Sequence, residues 1–284
     1  MLGPILAAVI PVLATAGLGF IWVRAGRPFE NGMFTPLVVD IGTPCLIFAT
    51  FAKTAIALAT IAALAGFALV AAIALPLAGL RAKTFLPSLT FPNNGNLGLP
   101  LAAYAFGQEG LGYAIVFYAI CMIGQFTVGQ AIAAGKANWV GMLRLPLIYA
   151  VLLGVAVSVW RVQLPPWISN TISLVGGMTI PLMLLMLGAS LARLRVEMMG
   201  RAIALSVLRI GVGACIGYGI AVLFHLEGAA RPVLIMQCAM PVAVYNYLFA
   251  LKWNNQPEEV ASLVIVSTIV SIFSVPALLH FLIF

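Results

Sequence analysis

Of 284 residues, 63% are hydrophobic and only 7% are charged, where soluble domains carry roughly 25% charged residues. So few charges cannot cover a water-soluble fold of this length, which excludes a soluble enzyme or a nucleic-acid-binding domain. The net charge of +7 comes from Lys and Arg scattered singly along the chain, and apolar runs long enough to cross a bilayer, about 20 residues, recur throughout.

The first run, 2–23, has no Lys or Arg before it and is too long for the core of a signal peptide, so it is read as a span. Span 2, 34–52, holds Asp40 and Gly42-Thr43-Pro44. Span 3 covers 55–79. Span 4, 84–106, is interrupted by Phe91-Pro92-Asn93-Asn94-Gly95-Asn96, and Gly107-Gln108-Glu109-Gly110 separates it from span 5, 111–133. Span 6 is 142–160. Span 7, 167–191, carries Met178-Thr179-Ile180-Pro181, and span 8, 202–224, contains Arg209. Span 9, 231–251, is interrupted at Met240-Pro241, followed by Tyr245-Asn246-Tyr247. Gln256-Pro257-Glu258-Glu259 then leads into span 10, 260–283. The expected fold class is an all-α membrane protein of ten helices in a serpentine path, because short connections force antiparallel neighbours.

Loops after odd-numbered spans hold ten basic residues: Arg24, Arg27, Arg81, Lys83, Lys136, Arg144, Arg193, Arg195, Arg201 and Lys252. Loops after even-numbered spans hold three, Lys53, Arg161 and Arg231. Basic residues stay on the cytoplasmic side, so both termini are expected on the other side of a cell inner (plasma) membrane.

The chain also repeats itself. Pro92 and Pro241 lie 149 residues apart, Gln108 and Gln256 lie 148 apart, and the Gly/Thr/Pro segments of spans 2 and 7 match. Two halves of five spans, residues 1–133 and 142–284, must have opposite orientations. Paired interrupted segments in such an inverted repeat point to a transporter site.

Proline within a membrane helix removes a hydrogen bond and clashes with the preceding turn. Irregular backbone at that depth is tolerated only inside protein or beside a wet cavity. Spans 4 and 9 are therefore expected to break at Pro92 and Pro241 and to cross. The second half of span 4, beginning near Asn96-Leu97-Gly98, would present free N–H groups, which bind anions. Asn93, Asn94, Gly95 and Asn96, with Gln237, Tyr245 and Asn246 from span 9, are the candidate substrate-binding residues. The competing reading has the prolines merely kinking helices and the asparagines pairing with neighbours.

Asp40 within span 2 could carry a coupling proton or pair with Lys53 or Arg209, since intramembrane charges are rare and costly. Gln125 and Gln130 either face the site or, the preferred reading, make plain interhelical hydrogen bonds. His225 and His280 are read as interfacial. Cys45, Cys121, Cys215 and Cys238 are read as small buried thiols. No HExxH, G-x-S-x-G, Walker A loop or strand-linked GxGxxG occurs, so neither an enzyme nor a metal site is expected.

The stretch Phe91-Pro92-Asn93-Asn94-Gly95-Asn96-Leu97-Gly98-Leu99-Pro100-Leu101 resembles the span-4 motif of the auxin efflux carrier family. Gln237-Cys238-Ala239-Met240-Pro241, and Ser267-Thr268 with Ser271 and Pro276, resemble its C-terminal part. The resemblance implies the fold shared with bile-acid/sodium symporters. In it, helices 1, 2, 6 and 7 form a scaffold, and helices 3–5 and 8–10 form a mobile transport domain with elevator motion. It implies substrate at Asn93 to Asn96 and around Pro241, and a homodimer formed through the scaffold. The long cytoplasmic loop of many plant members is missing between spans 5 and 6.

The resulting expectation is a secondary transporter of small organic anions, such as malate, malonate or auxin-like acids, with no cofactor. Coupling to Na⁺ or H⁺ is left open, and a sodium-coupled symporter of the bile-acid type is the alternative. An intramembrane enzyme or a receptor subunit is the reading of a different class. The expected partners are the anion and the lipid bilayer, with no nucleic acid.

Overall fold

The computed structural model describes residues 2–52, 81–136 and 143–283. Span 3, Lys53 and the first residue of span 6 therefore lie outside the described residues. Within them the chain is helical, and its one β-type contact is an isolated bridge.

Helix α1 runs Leu2–Arg24. Span 2 is α2 (Asn31–Pro36), a wide π turn (Leu37–Gly42) and α3 (Thr43–Phe51). Span 4 opens with α4 (Ala82–Thr90), breaks, and resumes through a π turn (Asn94–Gly98) into α5 (Leu99–Gly124). A second π turn (Gln125–Gly129) and α6 (Gln130–Ala134) complete span 5. Next come α7 (Pro146–Val159), α8 (Pro166–Gly177) and α9 (Thr179–Arg193). The remainder is α10 (Met199–Leu223), α11 (Ala230–Cys238), α12 (Val244–Lys252) and α13 (Pro257–Ile283). Prolines open α7 and α8, where the first turn has no N–H to lose. Gly135, at φ 71°, ends α6 in the left-handed conformation that glycine adopts without penalty.

Six of the described helical segments are long and apolar enough to cross a membrane, where the sequence suggests ten spans. Span 3 lies outside the described residues, and the rest of the difference has physical causes. Span 9 is split into two nine-residue halves, and α7 has only 14 residues. Spans 4 and 5 follow one another without a loop, as two helices that meet at a kink within Asn94–Ala134. The turn expected at 107–110 shrinks to a single residue, Gly107, whose φ of 65° and ψ of −159° are open to glycine alone.

Small residues let the helices approach closely, as membrane packing requires. Gly19 abuts the backbone of Leu185, and Gly188 that of Ala16, which seats α1 along α9. Gly154 and Gly176 bring α7 and α8 against α3. Gly213 and Gly217 set α10 against the backbone of α11 at Cys238 and Ile235. Gly42 meets the Thr179 side chain, so the matched Gly/Thr/Pro segments of spans 2 and 7 touch. Helices α1, α3, α7, α8 and α9 pack chiefly with one another, as do α10, α11, α12 and α13 with the flanking parts of spans 4 and 5.

Among the described residues, the loops that follow odd-numbered spans meet one another or the end of an odd-numbered span. Glu259 accepts from Arg81 at 2.8 Å and from Arg201 at 3.1 Å. Arg193 donates to the carbonyl of Phe29, and Asn255 Nδ2 to that of Ala133 at 2.8 Å. Elsewhere, Gly228 before α11 lies beside the Glu109 carboxylate, 3.9 Å from where its side chain would begin. That contact joins two loops that follow even-numbered spans.

Candidate substrate site at the crossed helices

Proline at 92 pushes the preceding residue out of the helical region, and Phe91 is extended, at φ −97° and ψ 107°. Span 9 breaks likewise between Cys238 and Val244, with Ala243 extended at φ −70° and ψ 139°. The two extended stretches pair antiparallel, Pro92 opposite Val242. Asn93 N–H donates to Pro241 O at 2.6 Å, and Ala243 N–H to Phe91 O at 3.3 Å. Neither proline has an N–H to offer, and neither is asked for one.

Three side chains fasten the crossing. Val242 N–H donates to Ser267 Oγ at 3.0 Å, and that hydroxyl donates in turn to Val264 O at 3.2 Å. Asn246 Nδ2 donates to Phe91 O at 3.1 Å while its Oδ1 accepts from Gln125 Nε2 at 3.0 Å. Gln125 thus makes the interhelical bond expected of it. Of these, Ser267 was visible in the sequence only as part of the family resemblance. Tyr118, which packs on Gly95 and meets Thr43 Oγ1 at 3.4 Å, carried no sequence signal.

The helix after the first break resumes at Asn94, two residues earlier than expected, because Leu97 and Gly98 N–H both reach back to Asn93 O, at 3.3 and 3.2 Å. The opening amides of this turn, at Asn94, Gly95 and Asn96, have no helical carbonyl one turn before them. Beside them, Asn93 Nδ2, Asn94 Nδ2 and both amide atoms of Gln237 are buried without a protein hydrogen-bond partner. Gln237 packs directly on Gly98, where any larger residue would overlap its amide. Asn96 is half-buried. A buried polar group without a partner costs about 1–3 kcal/mol, and the concentration of such groups here makes the break the candidate site.

Tyr245 is half-buried, its ring edge-on to Phe126 at 5.4 Å. The Asp40 carboxylate lies within electrostatic reach of it. Asp40 sits exposed on the π turn of span 2 and forms no ion pair with Arg209, which is buried in α10 and donates to Cys238 O at 2.8 Å. The two charges are held in different surroundings, so the expected alternative of an Asp40–Arg209 pair does not form. Lys53, the other expected partner, lies outside the described residues. The cysteines are all free, but only Cys121 and Cys238 are buried, and Cys215 faces outward from α10.

A cavity of about 190 Å³ adjoins the break. Leu97 and Leu101 line it from span 4, Val12, Ala16 and Gly188 from α1 and α9, and Thr268 and Ser271 from α13. Its wall is apolar apart from those two hydroxyls, which bond to carbonyls of their own helix.

Residues 130–279 match the family described as Membrane transport protein. Over 193 residues the chain is 31% identical to an uncharacterized transporter of Methanothermobacter thermautotrophicus, covering 65% of this chain and 63% of that one. It is 25% identical over 192 residues to an uncharacterized transporter of Methanocaldococcus jannaschii, covering 63% and 62% respectively. A probable auxin efflux carrier component 1b of Oryza sativa subsp. japonica is 25% identical over 141 residues, 47% of this chain and 26% of its own length. The chain thus spans just under two thirds of the length of the first two relatives.

Proposed function

The chain belongs to the membrane transport protein family of the auxin efflux carriers, and from that premise we propose that it carries small organic anions across the membrane by elevator-type alternating access. The observation that carries this reading is the crossing itself. Two broken helices meet inside the protein, and the buried amide donors of Asn93, Asn94 and Gln237 stand there without protein partners. Donors without a fixed positive charge at their centre suit a carboxylate, and the free N–H groups of the Asn94–Gly98 turn add the positive end of a helix dipole. Tyr245 and Asn96 complete the rim, while the apolar cavity beside Leu97 suits the carbon skeleton of an organic acid.

The ten-helix inverted repeat is supported by the near-equivalence of the paired residues, since Pro92 bridges Val242 at an offset of 150. A division into scaffold (helices 1, 2, 6 and 7) and transport domain (helices 3–5 and 8–10) is supported by the two packing groups and by the cavity between them. Placement in a cell inner membrane with outside termini is supported by the basic-rich loops meeting one another or the end of an odd-numbered span. An anion leaves a negative-inside cell downhill, by about 2.3 kcal/mol per charge per 100 mV, which favours efflux.

The test is counterflow in proteoliposomes, with labelled malate, malonate, lactate and indole-3-acetate in turn, with and without sodium. Saturable exchange of at least one acid is expected, unchanged by sodium. Strict sodium dependence would replace the uncoupled carrier with a symporter. Folded protein that exchanges none of the acids would end the organic-anion reading.

A further inference from the structure

Arg209 is the one ionised side chain that is buried among the described residues. All seven Asp and Glu residues lie in described residues, and none pairs with Arg209; both ion pairs among the described residues belong to Glu259 at the helix ends. A guanidinium cannot shed its proton in a protein, and an unpaired buried charge is costly. Its one hydrogen bond, from Nη1 to Cys238 O at 2.8 Å, is to the last carbonyl of α11. That pole of a helix carries about half a negative charge, which leaves the cation only partly offset. Nε and Nη2 are buried without partners.

This residual charge lies close to the crossing. The thiols of Cys121 and Cys238 are within electrostatic reach of Arg209, and Cys121 lies beside the Asn94 amide in a geometry short of a hydrogen bond. Gln237, adjacent to Cys238, packs on Gly98. Helix α10 packs along α11 and α13, so the charge belongs to the body that holds the crossing. In a low-dielectric interior a unit charge acts well beyond contact distance.

We infer that Arg209 is the fixed counter-charge of the transported anion, so that one bound carboxylate neutralises the buried charge of the moving body and the site favours monovalent over divalent acids. This rests on the transport reading above. Empty, the moving body carries a positive charge through the membrane field. Loaded with a monoanion it crosses without moving net charge, and loaded with a dianion it moves one negative charge.

Self-exchange at saturating substrate on both sides isolates the loaded step. Its rate is to be measured for lactate or indole-3-acetate, and for malate, with the potential clamped by potassium and valinomycin at 0 and −100 mV. Wild-type monoanion exchange should agree within twofold at the two potentials, while any malate exchange should change several-fold. A full charge crossing the field would shift the loaded distribution by up to about fifty-fold. Arg209→Gln should make monoanion exchange voltage-dependent, and Arg209→Lys, which keeps the charge, should not. Voltage-dependent monoanion exchange in the wild type, or voltage-independent exchange in a folded Arg209→Gln protein, overturns the inference while leaving the carrier intact. Absence of exchange for every acid instead overturns the transport reading itself. Should Arg209→Gln fail to fold, the wild-type comparison of monoanion with dianion decides.

Discussion

Single atoms hold the crossing together. Val242 N–H is buried between two broken helices and has one partner, the hydroxyl of Ser267. Ser267→Ala leaves that N–H unpaired, at about 1–3 kcal/mol. The midpoint of thermal unfolding in detergent should fall by a few degrees, and Ser267→Thr, which restores the hydroxyl, should recover most of it. An unchanged midpoint in the alanine variant would mean that the crossing does not depend on this bond. The asparagines divide into two kinds at the same scale. Asn246 spends both ends of its amide on Phe91 and Gln125, whereas the Nδ2 groups of Asn93 and Asn94 have no protein partner. Residue type at a proline break distinguishes neither kind, because the difference lies in which neighbours other spans bring within hydrogen-bond reach. The Asn-rich break was therefore legible from the sequence, and the separate task of Asn246 was not.

Helices that pack through glycine have no tolerance for added volume. Gly188 in α9 lies against the backbone of Ala16 in α1, and backbone cannot turn aside as a side chain can. Gly188→Val should destabilise the protein by at least the ~1–3 kcal/mol of ordinary overpacking, seen as a lower unfolding midpoint and reduced yield in the membrane. Gly211, on an exposed face of α10 with open space beside it, should accept the same change without loss. The ends of most elements were legible because prolines and glycines mark them. The separation of spans 4 and 5 at Gly107-Gln108-Glu109-Gly110 was legible too, though the break is narrower than a four-residue loop. One glycine at positive φ is enough to redirect a helix, so the other three residues stay helical. Counting spans by continuous apolar length fails for a related reason, since the segments that build the site are the ones that break.

For the whole molecule, the sorting of loops by charge can be read along the chain, whereas a division into two packing groups came only with the family resemblance. The bias of Lys and Arg sorted the loops, and contacts such as Arg81 and Arg201 with Glu259 join loops so sorted. Less legible was the cavity beside Leu97, which needs α1, α9, α13 and span 4 at once; no local pattern encodes such a meeting. Central to the account is an anion held at the turn Asn94–Gly98. The most direct measurement is counterflow of the best-exchanged acid by wild type and by Asn96→Ala, reconstituted at equal amounts and matched for unfolding midpoint. Asn96 is half-buried on that turn and makes no hydrogen bond that holds the crossing, so its removal should leave the fold intact. Loss of one good ligand hydrogen bond, roughly 1.5–3 kcal/mol to a charged group, predicts an affinity about ten-fold weaker or worse. Exchange by Asn96→Ala with unaltered affinity and rate would contradict the account and place the anion elsewhere.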